Sequence, residues 1–396
     1  AGLLPHHHLG LTEIQQLSGA GQLFDTLTVY ENYPLDAVSG EGDGDADGDG
    51  QGLRADVLSA LDATHYPLTL VLVPSGDGLQ LRLDYQEAAF TEAEAQKLFD
   101  RFQHLLQAFT VQPDTVVGRL DALLPDEREL LARWNDTGAD VPAGTLPELF
   151  AAQAARTPDA VAVIGGNNTL TYGELDARAN RLARYLVRQG VGPGRFVALY
   201  LPRSVEMVVA LVAVLKAGAA YVGLDPKYPS ERGAFMLSDS VPVLVLTSSE
   251  VSQSLPDAGV DVPRVALDDA EVRAALAELA TGALDDEELL GRPGPLSPAY
   301  VFYTSGSTGK PKGVVGTQVG MVNRLAWSHD LFPWVPTDVG CAKASMGFGE
   351  STSEILGPLL HGASVVVADD EEARSVEGLS ALIERHGVTR MTLVPS

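Results

Sequence analysis

A chain of 396 residues, 45% hydrophobic and 20% charged, can bury a large core and is long enough for more than one domain. Its formal net charge of −26 and pI near 4.5 set it against nucleic acid and anionic membrane surfaces, both of which would repel it. The longest apolar run, Met207–Leu215, is far short of the ~20 residues a membrane helix needs, and residues 1–10 lack the basic and apolar regions of a secretory signal, so a cytoplasmic location is expected, with Cys341 a buried reduced thiol.

In chain order, residues 11–36 and 66–90 read as strands. Thr26–Tyr30 alternates, and Pro67–Val73 runs through a Pro74–Gly78 turn into Leu79–Tyr85, a hairpin. His6, His7 and His8 form a surface turn, since three adjacent side chains on a strand cannot converge on one point. Ser39–Gly52 is too rich in Asp and Gly to fold by itself. Asp45, Asp47, Asp49 and Gly50 mimic a calcium loop, but Asp56 stands where its closing Glu belongs and no amphipathic helix leads in. An acidic calcium-binding segment therefore stays an alternative to a disordered insertion.

Thr91 and Glu94 form a capping box ahead of Leu98, Phe102, Leu105 and Phe109, which predicts a helix over 91–109 with those residues in the core. A short helix from Asp126 to Trp134 and breakers at 135–138 and 142–144 mark 126–147 as a linker between a first domain, 1–125, and a second, 148–396. In the second, Thr171 and Glu174 cap a helix whose Leu175, Ala179, Leu182 and Leu186 share a face. Short apolar runs at 197–201, 221–224, 243–247, 301–303 and 365–368 alternate with helical segments, predicting an α/β fold with mostly parallel strands buried on both faces.

After the run 300–302 comes Tyr303-Thr304-Ser305-Gly306-Ser307-Thr308-Gly309-Lys310-Pro311-Lys312-Gly313. Glycines at 306, 309 and 313 allow positive φ, so that backbone N–H groups can turn toward an anion, while the hydroxyls add donors and the lysines add charge. A Walker A loop would need Gly at 304 and Ser or Thr at 311, where Thr304 and Pro311 stand. This loop resembles, almost letter for letter, the signature loop of the adenylate-forming enzymes, in particular the adenylation domains of nonribosomal peptide synthetases. Leu170–Leu175 and Leu215–Pro226 resemble two further motifs of that family, with Gly223 where the family usually has Pro. Residues 1 to about 125, above all Leu23–Thr26 and Glu31–Pro34, resemble the C-terminal end of a condensation domain; the catalytic His-His-x-x-x-Asp-Gly motif of that family is missing, since Leu11 and Thr12 follow His6-His7 in its register.

The resemblance implies a condensation-domain tail of α+β type followed by the large N-terminal subdomain of an adenylate-forming enzyme. It implies activation of an amino acid with ATP and Mg2+, and loading onto phosphopantetheine of a carrier-protein domain outside this chain. ATP phosphates would be held by Thr304, Ser305, Gly306, Ser307, Thr308, Gly309 and Lys310. Phe348–Glu354 aligns with the motif that begins the amino-acid pocket, giving Gly349, Glu350, Ser353 and Thr392, the last in a strand-like run 389–396, as substrate-binding positions. Gly349 stands where that family has the Asp that pairs the α-ammonium, and Glu350 follows it, so a β-amino acid is expected. Ribose, magnesium and catalytic-lysine positions of the family align beyond Ser396, so this segment alone is expected to be inactive. No metal ligands are expected within it. A free-standing acyl-CoA synthetase would share the loop but not the condensation-like residues 1–125.

Overall fold

The computed structural model describes residues 8–19, 23–31, 66–75, 78–305 and 310–393. His6, His7, the acidic segment with Asp45, Asp47, Asp49 and Asp56, and Gly306–Gly309 lie outside the described residues. The contacts divide the chain into two units, Ala1–Gly138 and Ala139–Ser396.

In the first unit, Leu11–Ser18 is a helix (α1) and not the strand its sequence suggested. Leu11, Ile14 and Leu17 recur at helical spacing, Glu13 lies in the first turn, and Gly19 ends it in the left-handed conformation that glycine adopts without strain. Strand β1 (Thr26–Tyr30) runs parallel to β2 (Leu68–Ser75), and β2 pairs antiparallel with β3 (Gly78–Tyr85) in the expected hairpin. Helix α2 (Glu92–Val111) starts from the Thr91–Glu94 box, with reciprocal bonds of 2.8 and 3.4 Å. Its apolar stripe is only partly the core it was read as: Ala95 is buried and Phe102 and Leu105 are half-buried, but Leu98 and Phe109 are exposed. Helix α3 (Pro125–Asn135) follows.

The second unit opens with α4 (Leu146–Arg156), the hairpin β4 (Val161–Gly165) and β5 (Asn168–Thr171), and α5 (Tyr172–Arg188). Then come β6 (Phe196–Leu199), α6 (Val205–Lys216), β7 (Ala220–Gly223), α7 (Ser230–Ser240), β8 (Leu244–Thr247), β9 (Arg264–Ala266) and α8 (Ala270–Ala277). The chain continues through β10 (Pro298–Thr304), β11 (Lys312–Thr317), α9 (Gln318–Leu331), β12 (Val339–Ala342), α10 (Gly349–Leu359), β13 (Ser364–Val367) and α11 (Val376–His386). One sheet has the order β11-β10-β7-β6-β8-β9, parallel except for the β10–β11 hairpin. The other has the order β12-β13-β4-β5, antiparallel only at β4–β5.

Helix α6 touches strands of both sheets, and every residue from Met207 to Leu215 is buried. At twelve residues this mostly apolar helix is too short to span a membrane, and its packing on both sheets makes it core. Helix α5 lays Leu175, Ala179, Leu182 and Leu186 against α6 and β4–β5 in the same core. The opposite face of the six-stranded sheet is covered by Met236 and Leu237 of α7, and that of the four-stranded sheet by Leu382 of α11. Cys341 is in this last cluster; burial first, and the Glu354 carboxylate second, push its thiol up to about 12, so it stays protonated at neutral pH and is a poor nucleophile. Among the described residues no helix is long and apolar enough to cross a membrane.

Candidate functional site

Strand β10 carries the signature sequence to the carboxyl edge of the sheet. It pairs parallel with β7, Tyr300 opposite Tyr221 and Val301 opposite Val222, and antiparallel with β11 up to Thr304 opposite Lys312. Thr304 and Lys312 thus stand at the carboxyl end of β10, which is parallel to β7, and open α/β sheets bind ligands at that edge. Thr304, Ser305, Lys310 and Lys312 are exposed there. The expected turn glycine at 313 is not one: Gly313 lies in β11, its φ is not positive, and a Cβ there would press on the Tyr303 ring at 3.2 Å. Tyr303 in turn donates from its hydroxyl to Asp239 Oδ2 of α7 at 2.7 Å, fixing the base of the hairpin. Burial, reinforced by the Asp239 carboxylate, raises the Tyr303 pKa.

The second group of candidates sits at the head of α10. Gly349 is the first helical residue, and a Cβ built on it would touch Phe302 of β10 at 3.5 Å, an ordinary contact. Position 349 therefore has room for a side chain, and it faces the strand that bears the hairpin. Glu350 and Ser353 are both reached by Arg324 of α9, whose Nη2 lies 3.8 Å from Glu350 Oε1 and whose Nε donates to Ser353 Oγ at 3.2 Å. Thr392 is exposed and not in a strand; the strand-like run expected over 389–396 is limited among the described residues to one bridge, Arg390 to Gly340. Nothing in the structure links Thr392 to the other candidates.

Three features of this site were not read from the sequence, although Gly223 stands out there as a departure from the family pattern. Glu354 is 6% exposed and its Oε2 accepts the backbone N–H groups of Lys343 and Ala344 at 2.9 and 2.8 Å, tying α10 to the loop that leaves β12. Burial raises its pKa, and these two bonds oppose the rise. Gly223, at the end of β7, has no room for a side chain, because a Cβ would overlap the Met346 carbonyl and come within 3.0 Å of Gly347 N. Gly347 lies likewise against the Tyr228 hydroxyl. Finally, Tyr221 is fully buried, hydrogen-bonded to Thr352 of α10, and packed with Tyr300 and Phe302 of β10. The signal for Glu354 was its spacing, one helical turn after Glu350 on the same helix; the close approaches at Gly223 and Gly347 join segments more than a hundred residues apart and leave no local trace.

A family model described as AMP-binding enzyme matches residues 150–396, more than half of the chain. The chain belongs to the AMP-binding enzyme family. Ahead of that region a condensation-domain model matches residues 2–132. This AMP-binding chain is similar to the dimodular nonribosomal peptide synthase of Bacillus subtilis (strain 168), 41% identical over 321 residues, covering 81% of this chain and 14% of the relative. It is 36% identical over 394 residues to the vanchrobactin synthetase VabF of Vibrio anguillarum, covering 100% of this chain and 13% of that protein. The crystal structure of the nonribosomal peptide synthetase FmoA3 in its AMPPNP-bound form superposes with a TM-score of 0.74 at 26% identity, over 96% of this chain and 39% of that one. The chain thus spans about a seventh of the length of these curated relatives. The condensation match disfavours a free-standing acyl-CoA synthetase.

Proposed function

We propose that this chain is the part of a nonribosomal peptide synthetase module in which ATP and an amino acid meet to form an aminoacyl adenylate. The observation that carries the reading is the meeting of β10 and α10: the strand that ends in Thr304 and Ser305 also bears Phe302, which faces Gly349 at the head of α10. A triphosphate held at the hairpin tip and a carboxylate held near α10 would then be neighbours, which is what in-line attack on the α-phosphate needs. Thr304, Ser305, Gly306, Ser307, Thr308, Gly309 and Lys310 hold the β- and γ-phosphates in this reading, and hydroxyl, N–H and ammonium donors offset the charge that develops on pyrophosphate. Residues 1–125 form the end of the condensation domain, 126–147 the linker and 148–396 the adenylating part; the division of contacts at residues 138 and 139 supports a boundary within that linker. Magnesium, and a carrier domain whose phosphopantetheine thiol receives the acyl group, complete the reaction in the cytoplasm.

For the substrate, Gly349, Glu350, Ser353 and Thr392 are the proposed contacts. The missing carboxylate at 349 is not forced by crowding, since a Cβ fits there, and the nearest acid is Glu350. Its pairing with Arg324 is long, and both side chains are about half exposed (50% and 44%), so giving it up costs at most about 1 kcal/mol. A substrate whose amine is displaced from the α-carbon, such as a β-amino acid, supplies the ammonium that replaces it. Pyrophosphate exchange into ATP by the full-length protein tests both readings. Activity that depends on an amino acid and is lost in the double variant Lys310→Ala, Thr308→Ala supports the loop; unchanged kinetics refute it. A strong preference for an α-amino acid that persists in Glu350→Gln refutes the substrate reading alone.

A further inference from the structure

A cavity of about 540 Å³ in the second unit has none of the β10 or β11 residues in its lining. It opens where Leu201 and Ser204 follow β6, Ser248 follows β8 and Leu267 follows β9, under α5 and α8. Strand order explains why there is space. From β6 the chain crosses through α6 to β7 on one side, then through α7 on the opposite face to β8 on the other side of β6. The two crossovers diverge, and the crevice they leave at the carboxyl ends of β6 and β8 is a topological switch point of the kind that binds ligands in open α/β sheets. The volume falls within the range of about 300–1,000 Å³ usual for small-molecule sites.

The lining has an apolar floor and a charged side on which three arginines face Glu206, Glu250 and Asp268. Leu182, Val209, Leu267 and Leu276 supply the floor. Among the three arginines, Arg178 is paired with Glu206 at 3.2 Å. Arg181 spends only its Nε, on Leu279 O at 3.1 Å, and Arg273 makes no hydrogen bond to a described residue, although, after the Ser249 backbone N–H, its charge helps hold the Asp268 carboxyl low. Of the nearby acids, Asp268 accepts from Ser249 N and Oγ at 2.8 and 3.1 Å, while Glu250 is exposed. Ser248 also borders the cavity; its Oγ is shielded from water and has no partner among the described residues. Two guanidiniums with unused donors above an apolar floor together match a small anion with an apolar body.

We propose that this cavity is a second ligand site, separate from the adenylating site, for a small carboxylate carrying an apolar chain, with Arg181 and Arg273 meeting the carboxylate. Titration calorimetry and thermal melts of the 396-residue chain with octanoate as the probe test it. Octanoate is expected to bind saturably and raise Tm, 1-octanol to bind about tenfold or more weakly, and the double variant Arg181→Ala, Arg273→Ala to lose a similar factor. Ala277→Trp, which puts a ring into the cavity from an exposed position on α8, is expected to abolish binding. Non-saturating octanoate, equal affinity for octanol, or binding unchanged in the arginine double variant overturns the proposal. The arginine variants keep that judgement open if circular dichroism shows Ala277→Trp to be unfolded.

Discussion

Gly223→Ala isolates the most demanding close approach in the molecule. The added methyl has no free direction, since the Met346 carbonyl lies on its path and Gly347 N is within 3.0 Å, both of them backbone. The strand cannot yield easily either, because β7 is paired on both sides and Leu224 N is bonded to Leu199 O at 3.0 Å. The loop must therefore move. Overpacking of this kind costs about 1–3 kcal/mol. If the shift also breaks the bonds of Lys343 and Ala344 to Glu354, hydrogen bonds to a charged group at about 1.5–3 kcal/mol each set the upper bound. A central expectation of ~2 kcal/mol corresponds to a fall in Tm of about 4–8 °C for a unit of this size. Urea melts followed by the fluorescence of Trp327 and Trp334, both in the same unit, measure it. Resemblance to the adenylation family argues the opposite for Gly223→Pro, a consensus substitution of a type that usually stabilises. A midpoint unchanged or raised in either variant refutes the steric reasoning.

Glu354→Ala leaves two buried N–H groups without an acceptor and is expected to cost about 3 kcal/mol or more, whereas Glu354→Gln keeps a carbonyl in place and costs about 1; equal losses in urea melts would show that the bonds to Lys343 and Ala344 are not what matters. Arg184, 7% exposed, donates to the carbonyls of Ala280, Gly282 and Ala283 and to Glu288, so Arg184→Lys, lacking the fork, should cost about 2–4 kcal/mol and raise proteolysis within 280–288. His361 stacks on His329 with ring centroids 3.7 Å apart, and its pKa is lowered by burial first, with the His329 and Arg156 charges adding to it. The unfolded chain therefore binds the proton more readily, so stability is full above the ordinary histidine value of about 6.5 and falls as pH drops below it; His361→Phe should flatten that slope between pH 7.5 and 5.5. Gly316→Ala should displace the Tyr300 ring, which occupies the place of the missing side chain, and a double-mutant cycle with Tyr300→Ala should show coupling of about 1 kcal/mol or more.

The sequence by itself determined what is local or written in a contiguous motif. The Thr91–Glu94 and Thr171–Glu174 boxes start helices because an Ncap hydroxyl and an N3 carboxylate act within four residues. The buried strands around 197, 221, 244 and 365 announced themselves as short apolar runs, and the signature loop identified its family without any fold. Leu11–Ser18 was misread because the helical spacing of Leu11, Ile14 and Leu17 and the Gly19 cap were not weighed, and Gly313 was misread because a glycine needed for packing looks the same in sequence as one needed for a turn. Tertiary structure alone decided which side chains meet. That Phe302 faces Gly349, that Arg324 holds Glu350 and Ser353, and that Gly223 admits the Met346 backbone all depend on β10 pairing with β7 and on α10 packing across the end of that pair. Such contacts join residues up to 123 positions apart in the chain, and no spacing rule of helix or strand reaches that far.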